Sequence, residues 1–406
     1  MGSPSEAVTI IIFVLTYAAV ALGWFPFVRL DRTGAAVVGA SLMVAFGALT
    51  IDEASRAIDL ETLVLLFGMM IVVASLRLSG FFRLIAAHTV EHVHRPLVLL
   101  ISVIAVTGVL SAFFVNDTIC LVLTPLMYEI ASSLRRNPVP YLLAIAMSSN
   151  IGSVATITGN PQNILIGSFS HIPYREFTAA LAPVSLVGFA LTTILLYFGY
   201  RDEFRDPCFL KVEPLPDHVN RPLMWKSLAV ALAMIVFFFL GTPIPKVAIV
   251  AGGFLLVTRR VRPEKFHREI DFSLLTLFAG LFVVVAGIEK TALFARLVDD
   301  SSRLALDRVP VMSAVSGVLS NIVSNVPAVL ILKSFVTRLA DPHRAWLALA
   351  MSSTLAGNFT LVGSVANLIV VERAQKHNIR ITFWEYFRIG APLTLLTMAA
   401  GVLLLR

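Results

Sequence analysis

Asn116, Asp117 and Thr118 stand together in AFFVNDTICLVLTPL, a stretch from Ala112 to Leu126 that is otherwise almost wholly apolar. A carboxylate is costly in such surroundings, and where one is kept it usually marks an ion path or a proton relay. Burial favours the neutral acid, so Asp117 could load a proton and release it in turn. Asn150, Thr156, Gly159, Asn160 and Asn163 break a second apolar run; Asn325, and then Thr360, Gly363 and Asn367, do the same late in the chain. Amides and hydroxyls exchange hydrogen bonds without carrying net charge. They suit a neutral polyhydroxyl solute or an oxyanion. No Lys or Arg lies within the four interruptions, Ser111 to Thr118, Ser148 to Asn163, Ser320 to Pro327 and Ser352 to Asn367. A strongly charged anion would find no side-chain cation there.

The remaining reactive residue types point elsewhere. Glu129 reads as facing the cytosol, and Glu61, Asp271 and Glu372 as solvated caps at span ends. The eight histidines fall in expected loops, and Cys120 and Cys208 are isolated, which suggests neither a disulfide framework nor a zinc site. With no HExxH motif and no Ser/His or paired-Asp arrangement in the apolar runs, an enzyme is not expected, and neither is a metal or an organic cofactor.

The elements that must position these residues are membrane helices. The 406-residue chain is 57% hydrophobic and 14% charged, with a mean hydropathy of +0.86, and apolar segments near the ~20 residues that cross a bilayer recur throughout. Hydropathy gives about ten crossings, at 7 to 24, 33 to 50, 60 to 79, 141 to 168, 179 to 200, 223 to 241, 244 to 258, 271 to 289, 345 to 371 and 384 to 405. The first lacks a basic leader and reads as a retained helix. Segments 97–134 and 309–340 are too long for one ordinary helix and polar in the middle, and each reads as a re-entrant hairpin or as two crossings. Either way, the larger share of the 32 Lys and Arg residues falls on one side, taken as the cytoplasmic side, with both termini outside. The net charge of +7 reflects those loops; no basic run interleaved with aromatics suggests nucleic acid.

The chain also repeats itself. Ile58-Asp59 followed by LETLVLLFGMMIVVA matches Ile270-Asp271 followed by FSLLTLFAGLFVVVA; GVLSAFFVND from Gly108 matches GVLSNIVSNV from Gly317; and LAIAMSSNIGSVATITGNPQN from Leu143 matches LALAMSSTLAGNFTLVGSVAN from Leu347. Five crossings and one hairpin per half make an odd number, so the halves must have opposite topology. The expected fold is therefore an all-α polytopic membrane protein of two inverted repeats, about ten transmembrane helices, two re-entrant hairpins and two broken helices. Residues 1–200 form the first repeat (hairpin 97–134, broken helix 141–168), 201–222 a cytoplasmic linker, and 223–406 the second (hairpin 309–340, broken helix 345–371). This is a plan of secondary transporters, with the site near the midplane.

NDTICLVLTP at Asn116, NIGSVATITGNPQN at Asn150 and SNVPAVLIL at Ser324 resemble the ion transporter superfamily, in particular its ArsB arsenite-exporter and plant silicon-efflux branch. The resemblance spans essentially the whole chain. It implies elevator-like movement, with substrate held between the hairpin tips and the broken helices, and points at Asn116, Asp117, Thr118, Thr156, Gly159, Asn160, Asn163, Asn325, Thr360, Gly363 and Asn367. With Asn150 added from the first broken helix, all of these but Asp117 are the expected substrate ligands, and Asp117, by its buried carboxylate, is the expected proton carrier. Where the sodium-coupled dicarboxylate branch has Ser-Asn-Thr at both hairpin tips, this chain has Asn-Asp-Thr and Ser-Asn-Val, a departure from dicarboxylate uptake. The expected activity is proton-coupled efflux of arsenite or a related neutral metalloid hydroxide, such as antimonite or silicic acid. A sodium-coupled anion carrier or sodium/proton antiporter is the alternative. The energy source would be the proton motive force, or a sodium gradient in the alternative. The expected partners are a small inorganic solute, protons and the bilayer of a prokaryotic inner membrane, with a homodimer or an energising ATPase subunit left open.

Overall fold

In the computed structural model the described residues are 6–23, 30–91, 95–205, 219–258, 261–300, 305–339 and 341–405. Cys208 and most of the linker expected at 201–222 lie outside them. All regular structure in the described residues is helical. The first half runs α1 (Glu6–Leu22), α2 (Arg32–Ala45), α3 (Ile51–Ala57), α4 (Leu60–Ser79), α5 (Phe81–Glu91), α6 (Pro96–Phe113), α7 (Asn116–Ser133), α8 (Val139–Val154), α9 (Pro161–Ser170) and α10 (Tyr174–Gly199), followed by the short α11 (Arg201–Arg205). The same order then recurs as α12 (Arg221–Phe239), α13 (Ile244–Leu256), α14 (Pro263–Glu269), α15 (Phe272–Glu289), α16 (Ala292–Asp300), α17 (Val309–Val323), α18 (Asn325–Val336), α19 (Pro342–Leu355), α20 (Val365–Gln375) and α21 (Phe383–Leu404).

Local chemistry sets many of these boundaries. Asp59 and Asp271 cap α4 and α15 by accepting from backbone amides of the first turn. Gly80 ends α4 at φ +84°, a conformation open to glycine at little cost. Thr50 and Glu53 close α3 with a capping box, and the hydrogen bond from Lys290 holds the Glu53 carboxyl down to about 2. Helices α4, α6, α10, α12, α15 and α21 are long and apolar enough to cross a membrane; α1, α2, α8, α13, α17 and α18 are shorter apolar helices. Hydropathy missed α5 and α16, because their polar faces lower the mean over a span-sized window. It also misplaced three histidines: His88 lies in α5, His267 in α14 and His343 in the first turn of α19.

The two halves interlock. Helix α4 packs along α13, and α15 along α2. A Cβ added to Gly68 of α4 would lie 2.5 Å from the Ala248 backbone; one added to Gly280 of α15 would lie 2.8 Å from that of Ala36. Absent side chains let these backbones approach, as small residues do between membrane helices. At the centre lie α8, buried from Pro140 to Val154, and α19, buried from Ala345 to Leu355. Helix α6 crosses α8 so closely that a Cβ on Gly152 would overlap the Gly108 carbonyl. Gly152 falls inside the interruption expected at Ser148 to Asn163, but it sits within α8, and its missing side chain serves that crossing.

Candidate functional site

Both central helices stop in mid-protein. Helix α8 ends at Val154, makes a 3-10 turn at Ile157–Gly159 and resumes as α9 at Pro161; α19 ends at Leu355, turns through Ala356–Asn358 and Leu361–Gly363, and resumes as α20 at Val365. The breaks are thus shorter than the expected 148–163 and 352–367, because Ser148 to Val154 and Ser352 to Leu355 keep their helical bonding. Two further interruptions face them. Only Phe114 and Val115 separate α6 from α7, and only Ser324, at φ +78°, separates α17 from α18. Each preceding arm leans on the break of its own half: the Thr156 hydroxyl donates to the Ala112 carbonyl, and Asn321 Nδ2 donates to the Ala356 carbonyl at 3.0 Å. Each returning arm packs on the other half, α7 against α20 and α18 against α9.

Freed carbonyls at a break need donors, and an asparagine in the resumed helix supplies them. Asn163 Nδ2 donates to the Ser153 and Thr156 carbonyls, each at 3.0 Å. Asn367 Nδ2 donates to the Gly357 and Thr360 carbonyls at 2.7 and 3.2 Å. The two sets coincide under the offset of 204 that relates the repeated sequences. Gly159 and Gly363 complete the same turn: a Cβ on either would meet backbone, that of Ser153 at 2.6 Å or that of Gly357 at 2.9 Å.

The correspondence extends across the halves. Thr354 Oγ1 donates to Asn163 Oδ1 at 3.5 Å, while Asn150, which aligns with Thr354, donates through Nδ2 to Asn367 Oδ1 at 3.0 Å. Asn160 Nδ2 donates to Thr354 Oγ1 at 3.2 Å, while Ser364, which aligns with Asn160, donates through Oγ to Asn150 Oδ1 at 3.0 Å. Each broken helix therefore clasps the other. Asn150 is the centre of one clasp, because its Nδ2 also donates to Asn358 Oδ1 at 2.8 Å and its Oδ1 accepts from Asn116 Nδ2 at 3.0 Å. Two donated and two accepted bonds fill the capacity of an amide side chain.

The hairpin residues differ from this saturated set. Asn116 Oδ1 and Asn325 Oδ1, equivalent by the repeat, are buried acceptors that no donor among the described residues reaches, and so are the hydroxyls of Ser111 and Ser320, a second equivalent pair. Asp117, although next to Asn116 in sequence, faces other surroundings. With Thr118 and Val115 it lines a cavity of about 60 Å³ walled by Met70, Val73 and Ala74 of α4 and by Glu269, Asp271 and Leu274. Glu269 of that wall pairs with Arg77 at 2.5 Å. A space of that size holds water. Asp271, expected as a solvated cap, both caps α15 and shares this cavity.

Asn116, Asn150, Thr156, Gly159, Asn160, Asn163, Gly363 and Asn367 are thus brought together; Thr360 contributes its carbonyl; Asp117 and Thr118 lie to one side; Asn325 has no hydrogen bond to the rest. Glu129 pairs with Arg83 at 3.6 Å and is half exposed. Sequence reasoning did not rank Gln162, which donates to Thr354 at 3.1 Å, or the pair Arg77–Glu269. The repeated Ile-Asp that places Asp271 was the available signal for the cavity.

Among known proteins, the family described as "CitMHS: Citrate transporter" matches residues 11–345 and 293–406. The silicon efflux transporter LSI3 of Oryza sativa subsp. japonica is 32% identical, over 93% of each chain. A 46 kDa membrane protein of Mycobacterium leprae is 30% identical over 98% of each, and the putative transporter arsB of Dictyostelium discoideum is 24% identical over 92% of this chain and 87% of its own. The crystal structure of the Alcanivorax borkumensis YdaH transporter, described as having an unusual topology, superposes with a TM-score of 0.65 at 14% identity, over 98% of this chain and 97% of that one. That likeness is one of fold.

Proposed function

Because the chain belongs to the CitMHS citrate transporter family, within the ion transporter superfamily, we propose that this integral membrane transporter exports a neutral metalloid hydroxide, of the arsenite, antimonite or silicic acid type, in exchange for protons. The observation that carries the reading is the pair of equivalent acceptors, Asn116 Oδ1 and Asn325 Oδ1, left without donors among the described residues beside a framework of hydrogen-bonded amides. A hydroxide solute brings O–H donors to such oxygens, each of which is otherwise stranded at a cost of about 1–3 kcal/mol. The Ser111 and Ser320 hydroxyls can accept or donate as the solute requires. Silicic acid is itself uncharged near neutrality, and the relative at 32% identity is named for silicon efflux.

Moving a neutral solute against its gradient requires a charged companion. Asp117 takes that role in this reading; what supports it is a position near the amides and in the wall of a cavity large enough for water, with Asp271 and Glu269 across it. In this reading the halves are inverted repeats, the tips of α6–α7 and α17–α18 are re-entrant, and the clasped broken helices move together past α4, α13, α2 and α15 as an elevator. The protein would reside in a prokaryotic plasma membrane with both termini outside.

The alternative, a sodium-coupled carrier of an anion such as citrate or a dicarboxylate, draws on the family description and on the same amide oxygens, which can also ligate a cation. Proteoliposomes loaded with arsenite, antimonite, silicic acid or citrate, under a proton gradient without sodium and then the reverse, separate the two. Efflux of a hydroxide driven by protons alone supports the proposal. An absolute need for sodium, or movement of citrate only, defeats it.

A further inference from the structure

The two halves differ where α17 meets α21. In the first half Phe189 of α10 reaches over α6, so that a Cβ on Gly108 would overlap its ring. The equivalent of Gly108 is Gly317, and the residue over it is Met398 of α21, whose methyl carbon lies 2.9 Å from the corresponding Cβ position. Beside Met398 runs a groove of about 770 Å³. Its walls run from Pro310 to Ile322 on α17 and from Thr394 to Leu403 on α21, and its inner end is Ala356 and Phe359, at the second break.

The rim of the groove is bilayer-facing: Val318, Ile322, Leu395 and Leu403 are all more than 60% exposed and apolar. Twelve residue steps along α17 span about 18 Å, close to the ~15 Å depth of one leaflet's hydrocarbon. Arg308, exposed beside Asp307, stands at the end remote from the break. Length, apolarity and a surface cation together match one phospholipid chain and its phosphate.

We propose that this groove holds one acyl chain of a membrane phospholipid, headgroup toward Arg308 and chain end against Ala356 and Phe359. The chain end rests on the turn whose carbonyls Asn367 holds. Occupancy is thereby tied to the shape of the second break.

The test uses the full chain in nanodiscs containing phosphatidylglycerol with a photoactivatable diazirine at the end of one acyl chain. Labelling is expected on the segments carrying Ile322 and Ala356 to Phe359. Met398→Phe, which copies the first half, should lower it roughly tenfold, equivalent to about 1.4 kcal/mol. Ala399→Leu narrows the same groove from the next position and serves where Met398→Phe does not fold. Unchanged labelling in a folded variant overturns the proposal. So does equal labelling of α6 and α10, or a dimer crosslinked through α17 and α21 in place of lipid.

Discussion

Replacing Asn150 tests whether the amide cluster is framework or solute ligand. Asn150→Ala removes the donor from Asn358 Oδ1 and from Asn367 Oδ1 and the acceptor from Asn116 Nδ2, while the Ser364 hydroxyl can turn elsewhere. Asn150 is 1% exposed, so bulk water does not replace it freely. With about 1–3 kcal/mol for each stranded group and partial relaxation, the loss comes to about 3–5 kcal/mol. Asn150→Asp should be worse at neutral pH despite its matching shape, because it sets oxygen against the oxygens of Asn358 and Asn367. Thr354→Val, which removes one hydroxyl from the equivalent clasp, should cost about 1–2 kcal/mol. Thermal inactivation midpoints in detergent, measured beside initial transport rates in proteoliposomes, read the series. The expected order of stability is parent, Thr354→Val, Asn150→Ala, Asn150→Asp, with KM for the solute little changed in whatever remains folded. An Asn150→Ala protein that melts with the parent and differs only by a raised KM would refute the framework argument and make Asn150 a direct ligand.

Asp117→Asn should abolish proton-driven net efflux while solute exchange across the membrane continues; undiminished net efflux would remove Asp117 from the coupling step. Asn116→Ala and Asn325→Ala should each weaken solute binding about tenfold, the equivalent of roughly one hydrogen bond, whereas Asn220→Ala, which removes only the cap on α12, should leave binding alone; equal effects from all three would count against the hairpin site. Gly152→Ala should prevent accumulation of folded protein, since its Cβ meets the Gly108 backbone, while Gly253→Ala, with nothing within 4 Å, should express like the parent.

The sequence by itself determined the class of protein, because spans of apolar residues admit few structures in a bilayer other than helices. It also exposed the internal repeat, since Gly68 with Gly280, Gly108 with Gly317 and Asn163 with Asn367 recur in register. What it could not separate was role from neighbourhood. Asn116 and Asp117 are adjacent, yet a helical step of about 100° sends one into the amide cluster and the other into the cavity with Asp271. Asn150 and Asn116 look alike as residues. Only tertiary structure makes one a saturated clasp and the other an acceptor without a donor among the described residues, because Asn150 draws Asn358, Ser364 and Asn367 from the other half, some 200 residues away, whereas Asn116 bonds to Asn150 in its own half. The same holds for the groove. Phe189 and Met398 are both ordinary apolar residues, and only the tertiary structure puts them over Gly108 and Gly317 and sets Met398 in the wall of the groove.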